Sequence, residues 1–188
     1  MNKSEERSKP QQKRSQKRYE EVLTTAEYIL TSDSSSSLTI QDIAKVSGMK
    51  RPSIYKFFPS NESILEALSE KHCNLLINLI KRNLDSLNHY NIFEYFKIIV
   101  DVVSIFINQN KEISRVLFTK TAEDKLVFMI GNLLVKLISG SKVSNQKIKV
   151  TTRVLISSLY DGYLEENSIS PSCNKETKRI CLSYLANK

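Results

Sequence analysis

The stretch from residue 37 to residue 65, SLTIQDIAKVSGMKRPSIYKFFPSNESIL, constrains the fold more than any other. It reads as two short helices joined by a tight turn, followed by the start of a long helix. Thr39 suits an N-cap, and Asp42 stands three residues on, where a capping-box acid belongs. Ile40, Ile43 and Ala44 then give one apolar face. Gly48 suits the left-handed turn that ends a helix. A second helix is expected over residues 51–57. Pro52 is tolerated there because the first helical turn has no intrahelical donor to lose. Ile54 and Phe58 should face inward, leaving Lys50, Arg51, Ser53, Tyr55 and Lys56 on or near the outer face. This is a helix-turn-helix whose second helix offers cations and donors to a polyanion.

Charge placement agrees with that reading. The chain of 188 residues carries a net charge of +8. Residues 1–18 hold seven Lys or Arg against Glu5 and Glu6, and residues 45–56 add four cations and no acid. The formal net charge therefore resides in the arm and the motif, as in a nucleic-acid binder. Gly and Pro number only four each, and long apolar segments repeat at helical spacing. Both point to an all-α chain.

Residues 1–12 are expected to form a flexible basic arm, with Lys13, Arg14 and Lys17 following as DNA contacts. The first helix should run over residues 12–30, with Val22, Leu23, Ala26, Ile29 and Leu30 bracing the motif, and a loop from Thr31 to residue 37. Residues 61–88 read as one long helix, with Ile64, Leu65, Leu68, His72, Leu75, Leu76, Leu79 and Leu84 along a stripe. His72 is expected in the core, and His89 in a turn or cap. Residues 92–108 form the most apolar helix, where Lys97, Asp101, Ser104 and Asn108 fall on one solvated edge. Further helices are expected over 112–120, 123–138, 146–165 and 175–186, with Pro171 ending the third of these. His72, Phe93, Phe96, Phe106, Phe118 and Tyr163 are candidates to line an apolar cavity for an unknown small-molecule effector.

The chain lacks the groups an enzyme needs. It has two His, no Gly-rich phosphate loop and no nucleophile motif, so no catalytic residue is expected. Cys73, Cys173 and Cys181 make neither a disulfide framework nor a metal spacing, and inert thiols are expected. No metal, cofactor, secretory signal or membrane span is expected, and a cytoplasmic location follows.

The motif residues resemble the DNA-binding domain of the tetracycline-repressor (TetR) family, over roughly residues 14–65. The shared pattern is Thr39, Ile43-Ala44, Gly48-Met49, Ile54-Tyr55 and Phe58, continued by Pro59-Ser60 and Glu62. The sequence departs from the family at Lys50, Phe57 and Asn61, the last replacing a frequent phosphate-touching Lys. The resemblance implies a three-helix helix-turn-helix domain over 13–60 and a helical effector-binding and dimerisation domain over 61–188. It implies a ligand-responsive repressor that binds double-stranded operator DNA as a homodimer. Thr39, Tyr55 and Lys56 would hold phosphates, Arg51 and Ser53 would read bases, and Pro52 would allow close approach. The last two long helices would pair across a two-fold axis through Thr151, Val154, Leu155, Ser158, Gly162, Ile180, Cys181 and Tyr184. Two other readings fit the residues: a nucleoid or cell-division DNA binder with a protein partner and no inducer, and a helical interaction protein that binds no DNA.

Overall fold

The computed structural model describes residues 12–32, 38–85, 91–111, 114, 120–138 and 143–187. Among these residues there are eight α-helices and no strand: α1 Lys13–Ser32, α2 Ile40–Ser47, α3 Arg51–Tyr55, α4 Asn61–Asp85, α5 Ile92–Gln109, α6 Lys120–Leu137, α7 Asn145–Glu166 and α8 Pro171–Ala186. The fold is all-α, with an N-terminal helix-turn-helix and a C-terminal helical body. Contacts divide the chain into Met1–Lys71 and His72–Lys188, so α4 starts in one unit and ends in the other. The expected arm, His89, Phe118 and most of the expected 112–120 helix lie outside the described residues.

In the first unit, α1 buries Val22, Leu23 and Ala26, while Ile29 and Leu30 are half-buried. The helix continues through Ser32 rather than stopping before Thr31, whose hydroxyl donates to the Glu27 and Tyr28 carbonyls at 3.0 Å. That bond lets a β-branched residue close the final turn instead of opening a loop. Leu38, Ile40, Ile43, Ile54, Phe57, Phe58, Ile64, Ala67 and Leu68 complete this core. Helix α3 ends at Tyr55, two residues before the expected end. Phe57 and Phe58 both donate their N–H to the Ile54 carbonyl, so the chain turns and buries both rings.

In the second unit, α5 is the most buried helix, hiding Ile92, Phe96, Ile99, Val100, Val103 and Ile107 among others. The Asn91 side chain caps it by accepting from the Glu94 N–H at 3.1 Å. The polar edge of α5 is solvated in part as expected, with Asn108 exposed and the Lys97 and Asp101 side chains about half exposed, but it also forms a seam. Asp101 pairs with Lys178 at 2.5 Å and accepts from Asn174, whose amide also donates to the buried Ser104. Asn108 exchanges two bonds with the backbone of Ile169. Polar side chains at helical spacing look alike whether they meet water or a neighbouring helix, and the pattern alone did not tell which. Leu75, expected on the core stripe of α4, is exposed, whereas Cys73, Ile77 and Ile80 are buried.

Helix α8 begins at Pro171, four residues before the expected start. Pro171 opens this helix rather than ending the previous one. Ser170 caps it by accepting from the Cys173 N–H, and proline tolerates the first helical position. Helix α7 ends instead at Asn167, which takes the left-handed conformation at φ 51°.

Candidate nucleic-acid interface

The head is built by satisfying backbone groups at the start of α2. Thr39 is extended, at φ −123° and ψ 153°, and its hydroxyl accepts from the Asp42 N–H at 3.2 Å and contacts the Asp42 carboxylate. The first helical N–H, that of Ile40, donates to the Asn61 side chain at 2.9 Å. Two of the donors that every helix start leaves orphaned are thus satisfied, one from α2 and one from the start of α4. Gly48 closes α2 in the left-handed region at φ 71°. Only then can the chain reverse within the two residues before α3.

Helix α3 is anchored by Ile54, which is fully buried, and by Phe57 and Phe58 just after it. Tyr19 of α1 stacks on Phe58 and meets Phe57 edge-on. With that side fixed, Lys50, Arg51, Pro52, Tyr55 and Lys56 are exposed and Ser53 is half-buried. Lys13, Arg14 and Lys17 are exposed on the first turns of α1. None of these six cations forms an ion pair among the described residues. Unpaired cations on short polar elements bind polyanions at the least desolvation cost. Thr39 differs from the others, because its hydroxyl is engaged with Asp42 and a phosphate would have to compete for it.

The sequence reading did not assign Asn61, Tyr19 or Phe57 a structural part. Asn61 stands in place of a phosphate-touching Lys but ties α4 to α2. A second such tie is the ion pair of Lys71 on α4 with Glu27 on α1, at 2.9 Å and half-buried. Only spacing across 44 residues could have revealed it, and no local pattern encodes that.

Residues 23–68 match the family model described as bacterial regulatory proteins, tetR family. The match covers the helix-turn-helix and about a quarter of the chain. The HTH-type transcriptional regulator EthR of Mycobacterium tuberculosis (strain CDC 1551 / Oshkosh) is 36% identical over 53 residues, which is 28% of this chain and 24% of that protein. The chain thus spans about a quarter of the length of the curated relatives it matches. A TetR-family transcriptional regulator from Streptomyces coelicolor has a TM-score of 0.75 at 13% identity, covering 91% of this chain and 97% of that one. The fatty acid degradation regulator FadR from Bacillus halodurans has a TM-score of 0.67 at 13% identity, covering 94% and 97%. At such identities the likeness is one of fold.

The expected TetR-family sites in the body fare differently. Phe96, Phe106, Tyr163 and His72 are packed in the interior, and Phe93 is half-buried. The Tyr163 hydroxyl donates to the Lys111 carbonyl at 2.8 Å. Two grooves, of about 620 and 390 Å³, lie elsewhere, on either side of the exposed Phe128, and none of the expected cavity residues lines them.

The expected dimer seam is also corrected in part. Thr151, Leu155 and Cys181 are fully buried within one chain, and Ser158 bonds Thr177 of α8 at 2.7 Å. Gly162 lies so close to α8 that an added Cβ would stand 2.3 Å from the Cys173 sulfur. The small-residue edge of α7 therefore receives α8 of its own chain. Ile180 and Tyr184 remain exposed, and Val154 is half-buried.

The thiols fit the inert reading. None of the three cysteines is in a disulfide. Burial raises the Cys173 thiol pKa and pushes that of Cys181 up to about 12, so neither offers a thiolate near neutrality. Among the described residues no three His, Cys, Asp or Glu are grouped to hold a metal, and no helix is long and apolar enough to cross a membrane.

Proposed function

We propose that this chain is a sequence-specific DNA-binding transcriptional regulator, a ligand-responsive repressor acting as a homodimer without catalytic activity. The observation that carries this reading is the surface of α3 and its flanks. Ile54, Phe57 and Phe58 fasten one side, and Lys50, Arg51, Tyr55 and Lys56 are exposed on the other. Each protomer would lay α3 in a major groove, with the two half-sites roughly 34 Å apart on a near-palindromic operator. Arg51 and Ser53 are the proposed base readers. Tyr55, Lys56, Lys13, Arg14 and Lys17 are the proposed phosphate contacts, with Lys50 beside them and Thr39 joining once its hydroxyl is released.

Regulation would be a population shift. An effector binding the His72–Lys188 unit would act through α4, the helix that both units include. It could lower DNA affinity only by its differential affinity for the two states. The test is a mobility shift on the intergenic DNA beside the gene, searched for an inverted repeat. Arg51→Ala should cost about 1–3 kcal/mol of discrimination at one base position. Lys13→Ala should weaken all sequences alike and lower the salt slope by about one. Binding without any salt dependence would sink the DNA reading.

A further inference from the structure

We propose that the groove of about 390 Å³ between α4 and α6 is the effector site, and that it takes a hydrophobic organic acid. The proposal rests on the ligand-responsive reading and names the chemistry of its ligand.

The floor of this groove is apolar. Ile77 of α4 is buried, and Met129 and Leu133 of α6 are half-buried. Phe128 stands beside them and is 68% exposed, the most exposed large apolar side chain among the described residues. A bare ring next to an apolar depression marks a place where something binds. The volume lies within the range of small-molecule sites, which are mostly apolar with a few polar groups to orient the ligand. The lining runs from Phe128 to Lys136, about 12 Å along α6 at about 1.5 Å per residue, the reach of a phenyl ring carrying a short acid chain.

The polar part of the lining selects for charge. Lys81 and Lys136 are exposed, Asn132 is half-buried, and among the described residues no carboxylate lines the groove. In each helix the cation follows an apolar lining residue by about one turn, Lys81 after Ile77 and Lys136 after Leu133. The result is an apolar floor with a positive rim. Ammonium groups only donate, and the Asn132 amide can donate as well, so the rim suits a negatively charged acceptor. A neutral ligand would leave that attraction unused, and an amine would meet two like charges. The larger groove on the other side of Phe128 differs, because Asp124 lines it and pairs with Arg153 at 3.0 Å.

Ile77 and Lys81 lie on the helix that both units include. A ligand held against α4 and α6 together would favour the state in which the two helices lie at this spacing, and would bias α4 by that preference alone.

The experiment is calorimetric titration of the full chain with 4-phenylbutyrate, 4-phenylbutanol and 4-phenylbutylamine, three probes of one shape that differ in charge. The acid should bind with a dissociation constant of about 1 mM or tighter. It should bind about tenfold tighter than the alcohol, and the amine should bind more weakly still. High salt should shrink the preference. Lys81→Gln and Lys136→Gln should each weaken the acid about threefold and leave the alcohol unchanged, since each removes one surface ion pair. Phe128→Ala should weaken both. All three positions are exposed, so the variants should fold, and a thermal melt checks each. In a mobility shift the acid should lower operator affinity and the amine should not. No binding of the acid, equal binding of acid and amine, or lysine variants indifferent to the acid would overturn the proposal, whatever the chain does with DNA. Acid bound through these lysines without a change in operator affinity would overturn the effector role. Failure to bind any operator would overturn the DNA reading instead, and the titration would still decide the groove.

Discussion

Tyr19 of α1 lies with its ring stacked on that of Phe58, centroids 4.7 Å apart and planes 28° apart. It also meets Phe57 edge-on at 6.1 Å and 86°. These contacts fasten α1 to the turn that ends α3. Tyr19→Ala removes both ring pairs and leaves the two phenylalanines partly uncovered. Aromatic pairs contribute about 0.5–1.5 kcal/mol beyond area, so a loss of about 2–3 kcal/mol in the head is expected with the burial included. Chemical denaturation followed by circular dichroism would measure it. DNA affinity should fall by a similar factor for every sequence, because α3 as a whole loses its support. A change confined to one base position would contradict this role.

The Asn61 side chain and the Thr39 hydroxyl divide the start of α2 between them, one accepting from the Ile40 N–H and the other from the Asp42 N–H. Asn61→Ala and Thr39→Ala should each cost about 1 kcal/mol, the usual loss for a removed cap. Asn61→Lys is the sharper variant, since it places a cation where the pattern that the motif resembles frequently has a Lys. It should still destabilise the head, because an ammonium cannot accept a hydrogen bond. A thermal melt of that variant at or above the wild type would show that the Ile40 contact carries no stability.

The head was legible because its residues act through short-range rules. A cap at Thr39, a left-handed glycine at Gly48 and a proline in the first turn of α3 each have one local conformation that suits them, and the structure has all three. The body was legible as helices but not as neighbours. Thr151, Ser158 and Gly162 announce that some helix comes close, and nothing in their spacing says whether it belongs to the same chain. The polar edge of α5 had the same ambiguity, since Asp101 and Ser104 satisfy helical periodicity equally facing water or α8. Phe128 and Leu164 were overlooked for a related reason: large apolar residues read as core until a fold shows their side to be open.

Gly162 and Cys173 set how near α7 and α8 can lie. In Gly162→Ala the new methyl would stand 2.3 Å from the Cys173 sulfur and 3.2 Å from its Cβ. Overpacking of this kind costs about 1–3 kcal/mol, against about 1 kcal/mol gained by replacing a helical glycine. A net loss near 1 kcal/mol is therefore expected. Cys173→Ala in the same chain removes the sulfur, so the double variant should recover stability. A double-mutant cycle by urea unfolding should give a coupling of about 1–2 kcal/mol. Additive effects would mean that the helices part without cost.

The buried thiol of Cys181 makes the body sensitive to alkali. Its only described hydrogen-bond contact is with the Thr151 carbonyl at 3.9 Å, and burial pushes its pKa from 9.0 up to about 12. The unfolded chain releases this proton near pH 9 and the folded chain holds it to about pH 12. Above pH 9 the folded state therefore binds more protons than the unfolded one, and its stability must fall as the pH rises. The contribution is fully present below pH 9 and is lost across the window up to about pH 12, at no more than about 1.4 kcal/mol per pH unit. Cys181→Ala should lower stability at pH 8 by removing buried volume, yet show a shallower decline between pH 9 and 11. Comparing the two slopes by urea unfolding isolates the thiol from the lysines and tyrosines that titrate in the same range. Equal slopes would mean that Cys181 ionises as freely in the folded protein as in the unfolded chain.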